Sequence, residues 1–163
     1  MRNFYSFILK FIPKFIKLLF KDIYYYHTGN YITKKQKGRK EDYLRLFNLV
    51  KDKEYEKVNS FIRSKNLLDI DKKFLNNLAL ISQVSIKESE INYQHGRLIY
   101  SILDLYLKKQ KIKMDKFLFV DVGTAKGFSS IIISKCAKDN NVNFKVFSFD
   151  LIPHKKKIFW NSI

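Results

Sequence analysis

One cysteine, Cys136, is all the chain has. No disulfide can form within it, which fits a reducing, cytoplasmic setting. That thiol sits inside an apolar stretch, so a buried, inert role suits it better than nucleophilic chemistry. Histidine is scarce as well: His27, His95 and His154 lack the spacing of zinc ligands, and no metal site is expected. Charge-free apolar runs of the ~20 residues that a spanning helix needs are also missing. A cleaved leader is not expected either, because lysines penetrate the apolar N-terminal run and no small-residue cleavage site follows it. Acids are few, 15 Asp and Glu against 32 Lys and Arg, and the formal charge is +17. Glycine and proline are sparse too, and no internal repeat is visible. Two of the five glycines fall close together, at Gly123 and Gly127.

That glycine pair organises the rest of the chain. An apolar run, Phe117 to Val120, ends in an acid, Asp121. A turn with Gly123, Thr124, Ala125 and Gly127 follows, and then an apolar stretch suited to a helix, Phe128 to Lys138. A second apolar run, Phe144 to Phe149, closes on another acid, Asp150. The pattern predicts strand, glycine turn, helix and strand. Continuous apolar runs suit parallel strands covered by helices on both faces. Glycines let a ligand approach backbone N–H groups, and a helix start adds unpaired donors with a positive dipole end. An acid at the end of the second strand can accept hydrogen bonds from ribose hydroxyls.

The glycine spacing separates cofactor classes. A P-loop needs Gly-x-x-x-x-Gly-Lys-Ser/Thr, and a dinucleotide turn needs Gly-x-Gly-x-x-Gly; neither is present. Asp121-x-Gly123-x-x-x-Gly127 resembles motif I of the class I S-adenosylmethionine-dependent methyltransferases, with Ala125 where that family often has glycine. The tail, Phe149 to His154 and then Phe159-Trp160-Asn161, is similar to a branch whose members look like modifiers of sugars or cell-surface glycans. Gly96-Arg97-Leu98 matches a helix that often precedes the first strand in this family. The resemblance covers roughly residues 90–163.

It implies an α/β fold: an N-terminal helical segment, then the strand-helix-strand start of a Rossmann-like methyltransferase sheet. It also implies S-adenosyl-L-methionine as cofactor. Asp121 would fix the turn and the ammonium of the methionyl end, and the backbone from Gly123 through Thr124, Ala125 and Gly127 would line that end. Asp150 would hold the ribose, and Phe128 and Ser129 at the helix start, with Leu151 after the second strand, complete the expected cofactor-binding set. The implied reaction is O-methylation of a sugar, glycan or small-molecule acceptor. Complete members have seven strands, and two are found here. The expectation is therefore an N-terminal, truncated part of such an enzyme, inactive in isolation, with no assignable catalytic residue.

Three regions are expected: 1–40, a basic amphipathic helix and linker; 41–110, helical; and 111–163, the partial Rossmann-like domain. In residues 4–21, Lys10, Lys14, Lys17 and Lys21 fall on one stripe at 100° per residue. Phe4, Phe7, Phe11, Phe15 and Leu18 lie on a face beside them, and Pro13 bends or breaks the helix. Such a helix either lies on an anionic membrane surface or packs on protein. Residues 22–40 mix tyrosines with lysines, but no nucleic-acid-binding fold accompanies them, so nucleic acid is not an expected partner. The charge is spread along the whole chain, as biased composition would spread it; attraction to anionic surfaces is the other reading. The functional alternative to an enzyme is a non-catalytic basic module that binds a membrane or partner through residues 1–40.

Overall fold

A computed structural model describes residues 38–86, 90–110 and 115–150. The expected helix at 4–21, most of the linker after it, and the tail with Leu151 and His154 lie outside the described residues. Within them the chain is mixed α/β, with five helices and one two-stranded parallel sheet.

The helices begin where local chemistry favours a start. α1, Lys40–Val50, carries Glu41 and Asp42 in its first turn, and the Asp42 carboxylate accepts the Arg39 N–H at 2.9 Å. α2 is Glu56–Ser64, with Arg63 in its last turn. α3, Lys72–Ser82, is capped by Asp71, whose carboxylate accepts the Phe74 N–H at 2.7 Å. α4, His95–Gln110, ends in Lys108 and Lys109, cations that suit the negative end of its dipole. β1 is Phe117–Val122, α5 is Phe128–Asp139 and β2 is Phe144–Phe149.

The two strands pair in parallel, Phe117 opposite Phe144 through Val122 opposite Phe149. α5 packs on the sheet, and α4 runs alongside α5 in the same direction. Gly96 sits against Phe128 and Ile132, the Tyr100 hydroxyl donates to Asp139 at 2.6 Å, and Asn140 donates to Asp104 at 2.9 Å. Both helix starts therefore lie at the carboxyl ends of the strands, where Asp121 and Asp150 stand. One apolar core joins the elements: Tyr43 of α1, Leu75 of α3, Leu107 of α4, Phe117 of β1, and Phe128 and Ile132 of α5. Each such side chain stabilises the fold by roughly 1.5–3 kcal/mol relative to exposure.

The sheet departs from the expectation of two covered faces. Phe117, Phe119, Phe144 and Val146 face the helices. The alternate positions, Leu118, Val120, Val122, Phe147 and Phe149, are 47–79% exposed. In sequence both strands carry apolar residues on either side, interrupted only by Asp121, Lys145 and Ser148, so the pattern could not announce that the described helices cover one side only.

Candidate functional site: the glycine turn at the strand ends

The turn between β1 and α5 depends on left-handed backbone. Gly123 has φ +76°, Gly127 has φ +78°, and Ala125 between them sits at φ +47°. Such values suit glycine and are strained for alanine. Ala125 is held by a hydrogen bond from its N–H to the Asp150 carboxylate at 2.7 Å, so the acid ending β2 clasps the turn ending β1. The Gly123 N–H donates to the Phe149 carbonyl at 2.7 Å, and the Gly127 N–H to the Thr124 carbonyl at 2.7 Å. Among the described residues, a Cβ on Gly123 would meet nothing within 4 Å.

Asp121 points to the other side, into the first turn of α5. Its carboxylate accepts both the Ser129 hydroxyl, at 2.8 and 2.9 Å, and the Ser130 hydroxyl. Thr124 joins through Ser130, 3.0 Å between hydroxyl oxygens, and Ser148 on β2 lies 2.6 Å from the same Ser130 oxygen. Burial alone would raise the Asp121 pKa. The hydrogen bonds from Ser130, Ser129 and Thr124 outweigh it and hold the carboxyl below its ordinary value of 3.8. A charge at that position also suits the helix start beside it.

The residues singled out in the sequence thus divide into three sets. Asp121, Thr124 and Ser129 converge in one hydroxyl-carboxylate cluster. Ala125 and Asp150 clasp each other, with Gly123 and Gly127 shaping the turn. Phe128 is turned away, 2% exposed, with its ring 4.9 Å from that of His95. It belongs to the core and offers a ligand only backbone. Leu151 lies outside the described residues. Ser130 and Ser148 were missed. Ser130 follows Ser129 in the first turn of a helix, and Ser148 stands opposite Asp121 in the register. The spacing of the first was available in the sequence, but the pairing of the second was not.

Gly96-Arg97-Leu98 is occupied by the chain itself. A Cβ on Gly96 would lie 2.6–2.9 Å from Ile132, Phe128 and Leu75, so this glycine permits the close approach of α4 to α5. The Arg97 guanidinium donates to both Asp69 oxygens (2.6–3.2 Å), to Asn59 (2.7 Å) and to Gln94 (3.0 Å). It ties α4 to α2 and to the loop before α3, where a side chain so engaged has little left for a ligand. Beside it lies a polar hollow of about 140 Å³, lined among others by Lys53, Asn76 and Gln94. Small-molecule sites usually run to roughly 300–1,000 Å³, so this hollow suits water or a small ion better than a nucleoside.

Cys136 is fully buried, and burial pushes its thiol up to about 12, which leaves no thiolate for chemistry. Among the described residues no cluster of His, Cys, Asp and Glu could hold a metal ion, and no helix is long and apolar enough to cross a membrane. No family model, curated protein or solved structure matches the chain.

Proposed function

We propose that the Asp121–Phe128 turn and Asp150 form the donor side of an S-adenosylmethionine site. In this reading the chain is the N-terminal part of a methyltransferase acting on a sugar, glycan or small-molecule hydroxyl. The observation that carries it is the parallel β1–α5–β2 unit, with two left-handed glycines in its turn and an acid at the carboxyl end of each strand. Ligands of open α/β sheets sit at that edge. The residues fit the donor as far as they extend. No described residue fills the space beside the missing Cβ of Gly123, the start of α5 favours a negative or electron-rich group, and Asp150 is exposed beside the turn.

The donor would supply a methyl group on a sulfonium. The chain's residues would bind and orient it: backbone at Gly123–Gly127 along the methionyl part, and Asp150 toward the ribose hydroxyls. Asp121, drawn into the serine cluster, would hold the turn in shape. The acceptor class follows from the resemblance in residues 149–161 and rests on that alone. Methyl transfer is an in-line displacement, so catalysis depends on positioning donor and acceptor together.

Titration of the amide spectrum with S-adenosylhomocysteine tests the reading. Two strands enclose little of a nucleoside, so weak binding is expected, with shifts centred on Gly123, Ala125 and Gly127 and lost in Asp150→Ala. No shifts at millimolar ligand, or shifts that Asp150→Ala leaves intact, would overturn it. Absent donor binding together with vesicle binding that depends on residues 1–40 would favour the non-catalytic basic module instead.

A further inference from the structure

We propose that the polar hollow beside Arg97 is an oxyanion site, taking a phosphate or sulfate group that is either free or the end of a small molecule. The hollow lies among the loop after α1, α2, the first turns of α3 and the start of α4. It shares no residue with the glycine turn, so it stands or falls independently of the donor site.

The hydrogen bonds around the hollow use up its amide acceptors. The Arg97 guanidinium donates to Gln94 Oε1 at 3.0 Å and to Asn59 Oδ1 at 2.7 Å. The Tyr93 hydroxyl donates to Asn76 Oδ1 at 2.8 Å. These bonds fix which end of each amide is oxygen, and so which end is nitrogen. Asn59 donates its nitrogen to Glu54 at 2.6 Å. The side-chain nitrogens of Gln94 and Asn76 find no acceptor among the described residues. Each of those nitrogens carries two N–H donors. Gln94 is 8% exposed, and its side chain lines the hollow. A buried donor without an acceptor is costly, so such groups are ordinarily met by water or a ligand.

Charge selects the ligand. Both carboxylates of the wall are engaged, Asp69 by Arg97 and Glu54 by Asn59. Lys51, Lys53 and Lys72 line the same hollow. Lys53 pairs with Glu90 and Lys72 with Asp52, but both pairs are exposed. Exposed pairs are worth little in water, so either ammonium can turn inward at small cost. Lys51 has no carboxylate partner among the described residues, and its ammonium stands 6.0 Å from the centre of the Phe47 ring. A cation would be repelled here. An oxyanion accepts from amides and ammonium groups alike, through the stronger, charge-assisted kind of hydrogen bond. The volume of about 140 Å³ is well below the roughly 300–1,000 Å³ of ordinary small-molecule sites, so one tetrahedral anion is the scale of group that fits.

Titration of the full-length chain with phosphate at constant ionic strength, followed by the side-chain amide resonances, tests this. The Gln94 and Asn76 NH2 signals should move and saturate at millimolar phosphate. Gln94→Glu keeps the oxygen that Arg97 holds and puts a carboxylate oxygen in place of the nitrogen. Asn76→Asp does the same beside Tyr93. Each variant should keep its circular dichroism spectrum and weaken phosphate binding on the order of tenfold, the loss of one charge-assisted donor. Tighter binding of glucose 6-phosphate than of phosphate would assign the hollow to a phosphorylated small molecule, and the reverse order to the free ion; both uphold the site. Unmoved Gln94 and Asn76 signals would overturn the proposal. So would unchanged affinity in the two folded variants, shifts that chloride reproduces, or shifts spread over the surface lysines without preference for these amides.

Discussion

Replacing Gly96 by alanine should destabilise the protein, and the structure says why. The added methyl would stand 2.6 Å from Ile132 Cδ1, 2.8 Å from Phe128 Cζ and 2.9 Å from Leu75 Cδ1. Carbon pairs rest at about 3.5–4.0 Å, so all three neighbours must retreat by roughly an ångström. They are 0, 2 and 2% exposed and sit in one core cluster, so there is no solvent to retreat into. Overpacking of this kind costs about 1–3 kcal/mol. Alanine in place of glycine returns up to ~1 kcal/mol of helix propensity, less in a first turn such as this. The expected net loss is about 1–2 kcal/mol, read as a fall in Tm of about 3–6 °C for a chain of this length. Urea and thermal unfolding followed by circular dichroism measure it. An unchanged or raised Tm would refute the packing argument.

Arg97→Ala strands acceptors on Asp69, Asn59 and Gln94 and should cost about 1–3 kcal/mol, a loss that Arg97→Lys recovers only in part because lysine lacks the fork; chemical denaturation of both variants decides. Ser101→Ala should be neutral or stabilising by up to about 1 kcal/mol, because the Ser101 hydroxyl is buried with no hydrogen-bond partner among the described residues; a clear loss of stability would reveal a bond to a group outside them. Folding favours the ionised form of Asp121, so its contribution is complete above the ordinary value of 3.8 and fades as pH falls below it; Asp121→Asn should lower stability at neutral pH and flatten the acid limb of the stability profile. Tyr93 behaves in the opposite sense: burial raises its phenol from 10 to about 12, so its contribution is complete below pH 10 and is lost between pH 10 and 12, and Tyr93→Phe should flatten the alkaline limb.

Much of the architecture could be read from residue order because local and global preferences agree there. The two strands occupy the spans expected for them, Phe117–Val122 and Phe144–Phe149, and they are parallel neighbours. Their apolar runs are short, bounded by acids and separated by a helix-length stretch, so few other pairings were available. Asp71 starts α3 as its capping chemistry predicts. The start of α4 is less legible: apolar residues continue upstream of His95, at Ile91 and Tyr93, and both are buried in a non-helical segment, so apolar spacing does not mark where the helix begins. At the glycine turn the sequence names the members without their partners. That Asp121 turns to Ser129 and Ser130 while Asp150 turns to Ala125 depends on how β1 and β2 lie in register, which no spacing rule supplies. The bare sheet face was illegible for a simpler reason: its members Leu118, Val120, Val122, Phe147 and Phe149 are apolar, as in a strand covered on both sides.

The two acids at the strand ends carry different duties, and the difference limits what a ligand can do there. Asp121 is enclosed by two serine hydroxyls, and drawing it toward a ligand would break bonds that fix the start of α5. Its role is to hold the turn rigid. Asp150 is exposed and accepts the Ala125 N–H. A carboxylate has about four lone-pair sites, so accepting that N–H does not prevent it from accepting a hydroxyl as well. The same bond places its charge next to the backbone that a ligand would touch. Ala125 needs that bond, because its left-handed conformation is one that a residue with a Cβ adopts only under constraint. Replacing Asp150 should therefore loosen the turn as well as remove an acceptor. A glycine at position 125 should separate the two effects: in Ala125→Gly the turn no longer needs the clasp, so any remaining effect of Asp150→Ala on ligand binding belongs to the carboxylate alone.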